Sequence, residues 1–282
     1  MSTPLISIVM PAFKCSATLA EAVESVVHQT YDNWELVISI DDGEDYAALL
    51  ASAGIKDQRI RFVSTGAVAT GSSNARNVGV IAARSDHVAV LDADDLFVPD
   101  KLKIVAPLVA DYPLISTGLQ IVNADLTPLR QVGTEGGPRL LDAARYKRTN
   151  ISMDSMIIYD RKRLPIAYDV DQPCLVDLDL ILKAFCHTKQ CFHLDQPLHI
   201  YRKQTVSISN GPQAASKFTL MKRTLIDRIE SKYYDFKDGA TARDGILAFL
   251  KASLATELQF SKQYDANPDL LFEDLLESNL NF

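Results

Sequence analysis

The stretch HVAVLDADDLFVPDK, at residues 87–101, decides the fold of this chain. Residues 88–91 are a short apolar run of the kind that forms a buried parallel strand. Three carboxylates follow at once: Asp92, Asp94 and Asp95. Pro99 suits the first turn of a helix, which we predict over residues 101–112. The carboxylates therefore follow the carboxyl end of a strand, where open α/β sheets bind their ligands.

Negative charges packed this closely repel one another unless water or a cation neutralises them. A hard divalent cation that carries substrate phosphates meets this need, because Mg²⁺ and Mn²⁺ favour oxygen ligands and often keep only one or two protein carboxylates. The alternative is a solvated acidic turn that caps the following helix. These residues alone leave both interpretations open.

The first 110 residues alternate short apolar runs with helical patterns, which predicts a parallel, doubly wound α/β sheet. The predicted strands are residues 5–10, 34–40, 60–63 and 87–91. The predicted helices are residues 18–29 and 46–53, and a loop that feeds a helix within 71–84. Later residues are less regular, with strands predicted over 114–122 and 151–159 and mostly helix from residue 213 onward.

Composition excludes several classes of protein. The chain has 282 residues, 47% of them hydrophobic, and a formal net charge of −7, so it can bury a core and lacks the basic excess expected of a nucleic-acid-binding protein. No run approaches the roughly 18 apolar residues that span a bilayer. The four cysteines have no zinc-site spacing and are typical of reduced thiols: Cys15, Cys174, Cys186 and Cys191. We expect a cytoplasmic protein, either soluble or peripheral at the inner face of the membrane.

Three motifs resemble, in order, those of the family 2 glycosyltransferases, which have the GT-A fold. They are SIVMPAFK at 7–14, HQTYDNWELVISIDDGED at 28–45 and GSSNARNVGVIAARSDHVAVLDADD at 71–95. Three motifs in one order are far more specific than a lone D-x-D. The resemblance implies a doubly wound, mostly parallel sheet, a smaller mixed sheet and a C-terminal helical extension.

The same resemblance implies a division of the chain. Residues 1–210 would form the catalytic domain, with a nucleotide-sugar-binding half at 1–110 and an acceptor-binding half at 111–210. Residues 211–282 would form the helical extension. Its apolar stripe is made of Ile246, Leu247, Leu250, Leu254 and Leu258. Packing on the catalytic domain, a homodimer contact and docking on a membrane surface are all open for this stripe.

The resemblance also implies a nucleotide-sugar site, formed by Pro11, Phe13, Asp42, Arg76, Asp92, Ala93, Asp94 and Arg202. In the family, the first Asp of D-x-D touches the ribose or sugar and the last holds the metal on the diphosphate. These roles fall on Asp92 and Asp94, with Asp92 as a second metal ligand and Mn²⁺ or Mg²⁺ as the cofactor.

The chemistry of three of these side chains suits a sugar nucleotide. Phe13 can stack on a flat base, Asp42 can accept a hydrogen bond from a uracil ring N–H, and Arg76 near a helix start can hold a diphosphate. The alternatives are a core position for Phe13, a plain surface charge for Arg76 and, for the neighbouring Asp41, a cap on the next helix.

A later segment, VDLDLILK at 176–183, resembles the family's E-D-x-D-L-x-L motif and implies that Asp177 is the catalytic base. Val176 stands where Glu is usual, so the acidic pair has lost one member. The alternative for Asp177 is a charge that the helix dipole favours at the start of a helix. Asp179 is predicted to be structural.

The stretch QPLHIYRKQTVSISN at 196–210 resembles the family's Y-R-x-H-x-x-S-x-S motif. Gln204 replaces the His, and Gln is a poor metal ligand beside imidazole, so metal binding would rest on Asp94, the phosphates and water. Arg202 and Lys203 are predicted to be available to the phosphates. His193 and His199 are predicted to be packing residues.

Together these motifs imply an inverting glycosyltransferase that moves a sugar from a UDP-sugar to a hydroxyl of a sugar or glycolipid acceptor, in polysaccharide or glycoconjugate biosynthesis. One alternative is a sugar-phosphate nucleotidyltransferase, which usually has a glycine-rich and basic loop after its first strand, and PAFKCSAT at 11–18 is not one. The other is a non-catalytic nucleotide-sugar-binding module. Val176 and Gln204 suggest this module. The intact Asp92, Asp94 and Asp177 argue against it.

Overall fold

The computed structural model describes residues 3–150, 156–203, 214–264 and 270–280. Its strands are β1 (Ile6–Ala12), β2 (Trp34–Ile40), β3 (Ile60–Ser64), β4 (His87–Val90), β5 (Leu96–Phe97), β6 (Leu114–Val122), β7 (Pro128–Val132), β8 (Arg139–Asp142), β9 (Ile158–Asp160) and β10 (Gln190–Arg202). Its α-helices are α1 (Leu19–Val27), α2 (Tyr46–Ser52), α3 (Ser72–Ala82), α4 (Lys101–Val105), α5 (Ala143–Thr149), α6 (Val176–Ala184), α7 (Ala214–Glu230), α8 (Gly239–Tyr264) and α9 (Phe272–Asn279).

All these strands belong to one ten-stranded sheet with the order β3-β2-β1-β4-β9-β6-β10-β5, in which β7 also pairs with β6 and β8 with β10. β3, β2, β1 and β4 are parallel neighbours, which confirms the doubly wound half. β9 pairs antiparallel with both β4 and β6. The smaller mixed sheet is therefore continuous with the parallel sheet.

Two predicted elements are shorter than their patterns suggested. The helix predicted over residues 101–112 ends as α4 at Val105, and a 3-10 turn follows at Ala106–Leu108. Pro107 explains the change, because it has no N–H to donate to the preceding turn of an α-helix. The strand predicted over 151–159 appears as β9 alone, and residues 151–155 lie outside the described part of the chain.

The packing of α3 against the sheet brings the start of this helix close to the carboxyl end of β1. A Cβ added at Gly79 would lie 2.4 Å from Val9 Cγ1, so only glycine permits this close approach. β1 itself is buried on both faces, as expected for a central parallel strand. The helix that carries Arg76 is therefore held directly against the central strand.

The C-terminal helices pack on the part of the molecule that contains α5 and α6. Their buried side chains join one apolar cluster with those of α6, including Leu225, Ile229, Ile246, Leu250, Leu178 and Ile181. Most of the predicted stripe on α8 is thus used in packing, whereas Leu258 is 63% exposed. In the described ranges, each helix is either too short or too polar to cross a bilayer.

Candidate functional site

A cleft of about 530 Å³ lies beyond the carboxyl ends of β1 and β2, and it is lined by Phe13, Lys14, Ser16, Ala17, Asp42, Glu44 and Val68. Phe13 is 43% exposed, so its ring is not part of the core. Pro11 lies near the carboxyl end of β1, opposite Ser39 of β2. The cleft therefore offers one exposed aromatic face and one carboxylate to a ligand.

Asp42 is fixed by neighbours from both strand ends. It accepts hydrogen bonds from the Lys14 backbone N–H (2.5 Å), the Tyr46 hydroxyl (2.7 Å) and the Glu44 backbone N–H (3.1 Å). Burial raises the pKa of Asp42, but these hydrogen bonds outweigh it and hold the pKa below its usual value. Asp42 thus remains ionised and can only accept hydrogen bonds.

Asp41 does not cap the next helix, which was the alternative considered for this residue. Asp45 caps α2, since its Oδ1 accepts from the Ala48 N–H at 2.9 Å. Asp41 is buried and accepts instead from the backbone N–H groups of Thr70 (3.0 Å) and Gly71 (2.9 Å). Gly71 is the N-cap of α3 and has a φ of 99°, a conformation that favours glycine. Asp41 therefore fixes the start of α3.

Arg76 on α3 is not a surface charge, because its side chain is only 13% exposed. Its Nη2 lies 2.6 Å from Asp92 Oδ1, and its guanidinium carbon lies 5.4 Å from the centre of the Tyr168 ring. Burial disfavours the charged form, but nearby groups, chiefly Asp92 and also Asp177, hold the pKa of Arg76 above its usual value. A permanent cation is therefore paired with Asp92 and is also influenced by the charge of Asp177, from a distant part of the sequence.

The three carboxylates after β4 have different surroundings. Asp92 pairs with Arg76, and Ala93 is buried in the apolar core. Asp94 has no side-chain partner in the part of the chain that the structure describes. Burial, together with the negative charges of Asp95 and Asp92, raises its pKa to about 7. A carboxylate in this position is stabilised by a nearby cation.

The donor set fits a divalent cation that keeps few protein ligands. Among the described residues, no group of three or more His, Cys, Asp or Glu side chains is arranged to hold a metal. Asp94, with Asp92, would supply the protein oxygens, and the phosphates of a ligand and water would complete the coordination. Gln204 lies outside the described residues.

Asp95 anchors the acidic loop, a role that the sequence analysis missed. It is 1% exposed and accepts from the Arg202 backbone N–H (2.9 Å) and from His199 Nε2 (3.0 Å). On the other side of the His199 ring, Nδ1 lies 3.4 Å from the Nζ of the fully buried Lys101. Burial lowers the pKa of Lys101 to about 7. This buried chain ties the acidic loop to β10.

His193 and His199 are buried, as predicted, but both also make hydrogen bonds. His193 Nδ1 lies 2.8 Å from the Ser116 hydroxyl, and its Nε2 lies 2.7 Å from the Gly133 carbonyl oxygen. His199 belongs to the buried chain at the acidic loop. Both imidazole rings are therefore buried among polar partners as well as apolar side chains.

The two cations at the end of β10 are paired, in contrast to the prediction that they are available to phosphates. Arg202 is buried and forms an ion pair with Glu21 of α1. Lys203 Nζ lies 3.5 Å from Glu273 Oε2 of α9. A phosphate would have to compete with these carboxylates for either side chain.

Asp177 is half-buried in the first turn of α6, where its Oδ1 accepts from the Leu178 N–H at 2.9 Å. Its negative charge contributes to the raised pKa of both Arg76 and Tyr168, so Asp177 lies within electrostatic range of the Arg76–Asp92 pair. Burial raises the pKa of the adjacent Cys174 to about 11, and the charge of Asp177 adds to this rise. The structure thus brings the D-x-D motif, the α3 motif and the α6 motif together around Arg76.

Two neighbours of Asp177 are engaged in the interior of the fold. Val176 packs against the apolar cluster and exposes no polar group toward Arg76. Asp179 is fully buried, with its Oδ1 2.5 Å from the Tyr234 hydroxyl and its Oδ2 2.6 Å from Lys183 Nζ. The structural role predicted for Asp179 is confirmed. Asp177 is therefore the carboxylate of this helix that faces the site.

Comparisons with known proteins agree with this architecture. A family model described as Glycosyl transferase family 2 matches residues 7–164. WfgD of Escherichia coli, a UDP-Glc:alpha-D-GlcNAc-diphosphoundecaprenol beta-1,3-glucosyltransferase, is 35% identical over 104 residues, which are 37% of this chain and 40% of that protein. EpsE of Bacillus subtilis, a putative glycosyltransferase, is 32% identical over 130 residues, 43% of this chain and 45% of that protein. The chain thus aligns with less than half the length of either relative.

Solved structures share the fold at low sequence identity. S. aureus TarS 1-349 in complex with UDP-GlcNAc has a TM-score of 0.71 and 15% identity, and the match covers 98% of this chain and 79% of that one. The mannosyltransferase PcManGT from Pyrobaculum calidifontis, in complex with GDP-Man and Mn²⁺, has a TM-score of 0.59 and 12% identity, with coverage of 98% and 79%. The GT-A fold predicted from the sequence is confirmed.

Proposed function

Because this chain belongs to glycosyl transferase family 2, we propose that it transfers a sugar from a UDP-sugar to an acceptor hydroxyl with inversion. The observation that carries the proposal is the ion pair of the largely buried Arg76 with Asp92, within electrostatic range of Asp177 from a distant part of the sequence. A donor phosphate site and a proton acceptor must lie close together for such a transfer. This cluster offers both.

The cleft at Phe13 is the proposed site of the uracil base. The exposed ring of Phe13 provides a stacking surface, and Asp42 accepts a hydrogen bond from the ring N–H. The ionised state of Asp42 suits this contact, because a carboxylate has no hydrogen to donate and therefore selects a base with an N–H at that edge. The names of WfgD and of the TarS complex, which include UDP-Glc and UDP-GlcNAc, support the choice of nucleotide.

Asp94 and Asp92 are the proposed ligands of Mn²⁺ or Mg²⁺, which when bound offsets the charge that builds up on the leaving diphosphate. Arg76 fixes the orientation of Asp92 through their 2.6 Å ion pair. Asp95 holds the backbone of the same loop against β10. The acidic loop is therefore held by a part-buried ion pair at Asp92 and by a buried hydrogen bond at Asp95.

Asp177 is the proposed general base. As the acceptor oxygen attacks the anomeric carbon, its proton passes to the carboxylate of Asp177 and the bond between that carbon and the diphosphate breaks. A single in-line displacement inverts the anomeric carbon.

The proposed acceptor is a lipid-linked sugar, in the synthesis of a polysaccharide or glycoconjugate. The name of WfgD, which specifies an acceptor with a diphosphoundecaprenol group, supports this class. Such an acceptor would bring the protein to the inner face of the cytoplasmic membrane as a peripheral protein. We also propose that residues 1–210 act as the catalytic domain and that residues 211–282 are its helical extension.

Release of nucleoside diphosphate from a panel of sugar nucleotides tests the proposal. Purified protein with Mn²⁺ is expected to release UDP from one UDP-sugar, and more rapidly when an extract of lipid-linked sugars is added. The matched control is the same reaction with a chelator. Failure of every sugar nucleotide to react, with bound UDP still detectable by calorimetry, would instead favour a non-catalytic binding module.

A further inference from the structure

The segment between Tyr168 and Leu175 leads into α6, and it is held from two sides. On the first side, the Asn77 side-chain amide of α3 pairs with both backbone groups of Tyr168. Asn77 Nδ2 donates to the Tyr168 carbonyl at 2.9 Å, and Asn77 Oδ1 accepts from the Tyr168 N–H at 2.9 Å. This contact fixes the start of the segment beside Arg76.

On the second side, Arg228 of α7 reaches the segment from the helical extension. Its Nη1 lies 2.9 Å from Gln172 Oε1 and 3.5 Å from Asp179 Oδ1. Its Nη2 lies 3.3 Å from Asp169 Oδ2. One guanidinium thus contacts three residues on both sides of the turn before Asp177, and its planar fork of donors suits this geometry.

Gln172 passes this contact to the backbone that precedes Asp177. Its side chain is buried, and its Nε2 donates to the carbonyl oxygens of Cys174 (2.9 Å) and Leu175 (2.8 Å). Because the Oε1 of the same amide accepts from Arg228, the amide is oriented with its nitrogen toward the turn. Arg228 and the turn are therefore connected through a single side chain.

Leu175 shows why this turn needs support. It is the N-cap of α6 and has a φ of 55°, a left-handed conformation that is unfavourable for a residue with a Cβ. Its carbonyl oxygen accepts from Gln172 and also from the Asp179 N–H at 3.0 Å. The direction in which α6 begins, and with it the position of Asp177, depends on this conformation.

We infer that Arg228, acting through Gln172, is a positioning residue for Asp177, so that the helical extension takes part in the transfer reaction. The inference rests on the proposed function, in which Asp177 accepts the proton of the acceptor. Neither Arg228 nor Gln172 touches the donor cleft, so their effect is confined to the acceptor side. A displacement of a catalytic group by about 1 Å lowers the rate by on the order of 10²-fold.

The first test compares kcat for transfer with the affinity for UDP in Gln172→Ala. This variant keeps the contacts of Arg228 with Asp169 and Asp179, so the helical extension stays attached. We expect kcat to fall about 10- to 100-fold while the Kd for UDP stays nearly unchanged. The matched control is Lys251→Met on α8, which removes the exposed 3.2 Å pair with Glu230 of α7, the helix that carries Arg228. This variant is expected to leave kcat unchanged.

The second test combines variants. If Arg228 acts through Gln172, the kcat of the double variant Gln172→Ala/Arg228→Gln will be no lower than that of the less active single variant. Arg228→Lys is expected to recover part of the lost kcat relative to Arg228→Gln, because an ammonium keeps the charge but cannot contact all three acceptors at once. Additive losses would mean that the two residues act separately and would overturn the inference.

The remaining outcomes separate this inference from the proposed function. Wild-type kcat in Gln172→Ala, with Asp177→Asn inactive, would overturn the inference and leave the proposed function standing. Equal losses of kcat and UDP affinity in Gln172→Ala, with a lower Tm, would also overturn it, because they indicate a purely structural role. A wild-type protein that transfers no sugar would reject the proposed function itself.

Discussion

The proposed nucleotide side and the proposed acceptor side of this molecule hold their carboxylates in different ways. Asp41 and Asp42 accept four hydrogen bonds from backbone N–H groups in the segments that follow parallel strands, alongside three from the hydroxyls of Tyr46, Thr65 and Thr70. The surroundings of Asp177 depend instead on long side chains, Arg76 from α3 and Arg228 from α7. Backbone donors are available whatever the sequence, whereas the second arrangement requires particular side chains at positions far apart in the chain.

This difference explains which parts of the site have readable motifs. A carboxylate that accepts partly from backbone N–H groups requires fewer particular side chains. The sequence around such a carboxylate appears as a short contiguous motif. A carboxylate held by distant side chains leaves a weaker local pattern. The predictions below challenge this distinction, beginning with the largest expected effect.

Asp177→Asn is expected to lower the rate of transfer by about 10²–10⁴-fold, because the amide keeps the size of the side chain but cannot accept the proton. UDP affinity is expected to change little, since Asp177 lies on the acceptor side. The measurement is the transfer rate and the Kd for UDP in the same preparation. Loss of both would show that Asp177 maintains the fold of α6, as a helix-terminal charge would.

Asp94→Asn is expected to lower turnover by about 10²–10³-fold, because the charge on the leaving diphosphate is no longer offset through this ligand. Binding of UDP in the presence of Mn²⁺ is expected to weaken as well, which distinguishes this variant from Asp177→Asn. Titration of UDP with and without Mn²⁺ measures the effect. Full activity of the variant with a chelator present contradicts the metal assignment.

Phe13→Ala is expected to weaken UDP binding by about 1–3 kcal/mol through loss of the stacking surface. The loss should be similar for adenine and uracil nucleotides, whereas Asp42→Ala should reduce the preference for uracil. Competition titrations with UDP and ADP separate the two effects. Unchanged affinity in both variants would move the base away from the cleft at β1 and β2.

Glu35→Gln tests stability on the nucleotide side without touching the site. Glu35 is 3% exposed and accepts from the Ser7 hydroxyl (2.6 Å), the Arg84 N–H (2.6 Å) and Arg61 Nη1 (2.8 Å). The variant is expected to lose about 2 kcal/mol of unfolding free energy at pH 7, because hydrogen bonds to a buried charge are replaced by weaker ones.

The loss should depend on pH. Burial raises the pKa of Glu35, but its hydrogen bonds outweigh burial and hold the pKa below its usual value. Its stabilising contribution is therefore fully present above the unfolded pKa of about 4.3 and disappears as the pH falls through the lower folded value. Urea denaturation at several pH values measures this. Glu230→Gln, at an exposed pair, is the control and should cost less than about 1 kcal/mol at any pH.

The parallel half of the fold was predictable because its strands are short apolar runs and these alternate with segments that have a helical pattern. The hydrogen-bond and ion-pair partners of the site residues were harder to predict from the sequence. Asn77 and Tyr168 are 91 positions apart, and Arg202 and Glu21 are 181 apart, so no local pattern records either pairing. The sequence shows Asp95 close to two other carboxylates. Its burial depends on contacts with His199 and Arg202 of β10, more than 100 positions later, and the local spacing of residues does not indicate these contacts.

Strand β5 has a consequence for how parts of this protein can be exchanged. It immediately follows the acidic loop, yet it pairs antiparallel with β10, where Phe97 is opposite His199 and Leu96 is opposite Ile200. The two halves are thus not interchangeable modules, since each completes a strand pair with the other. A chimera joined near residue 110 would have to take β5 and β10 from the same parent, or else lose the strand pair that supports its acidic loop.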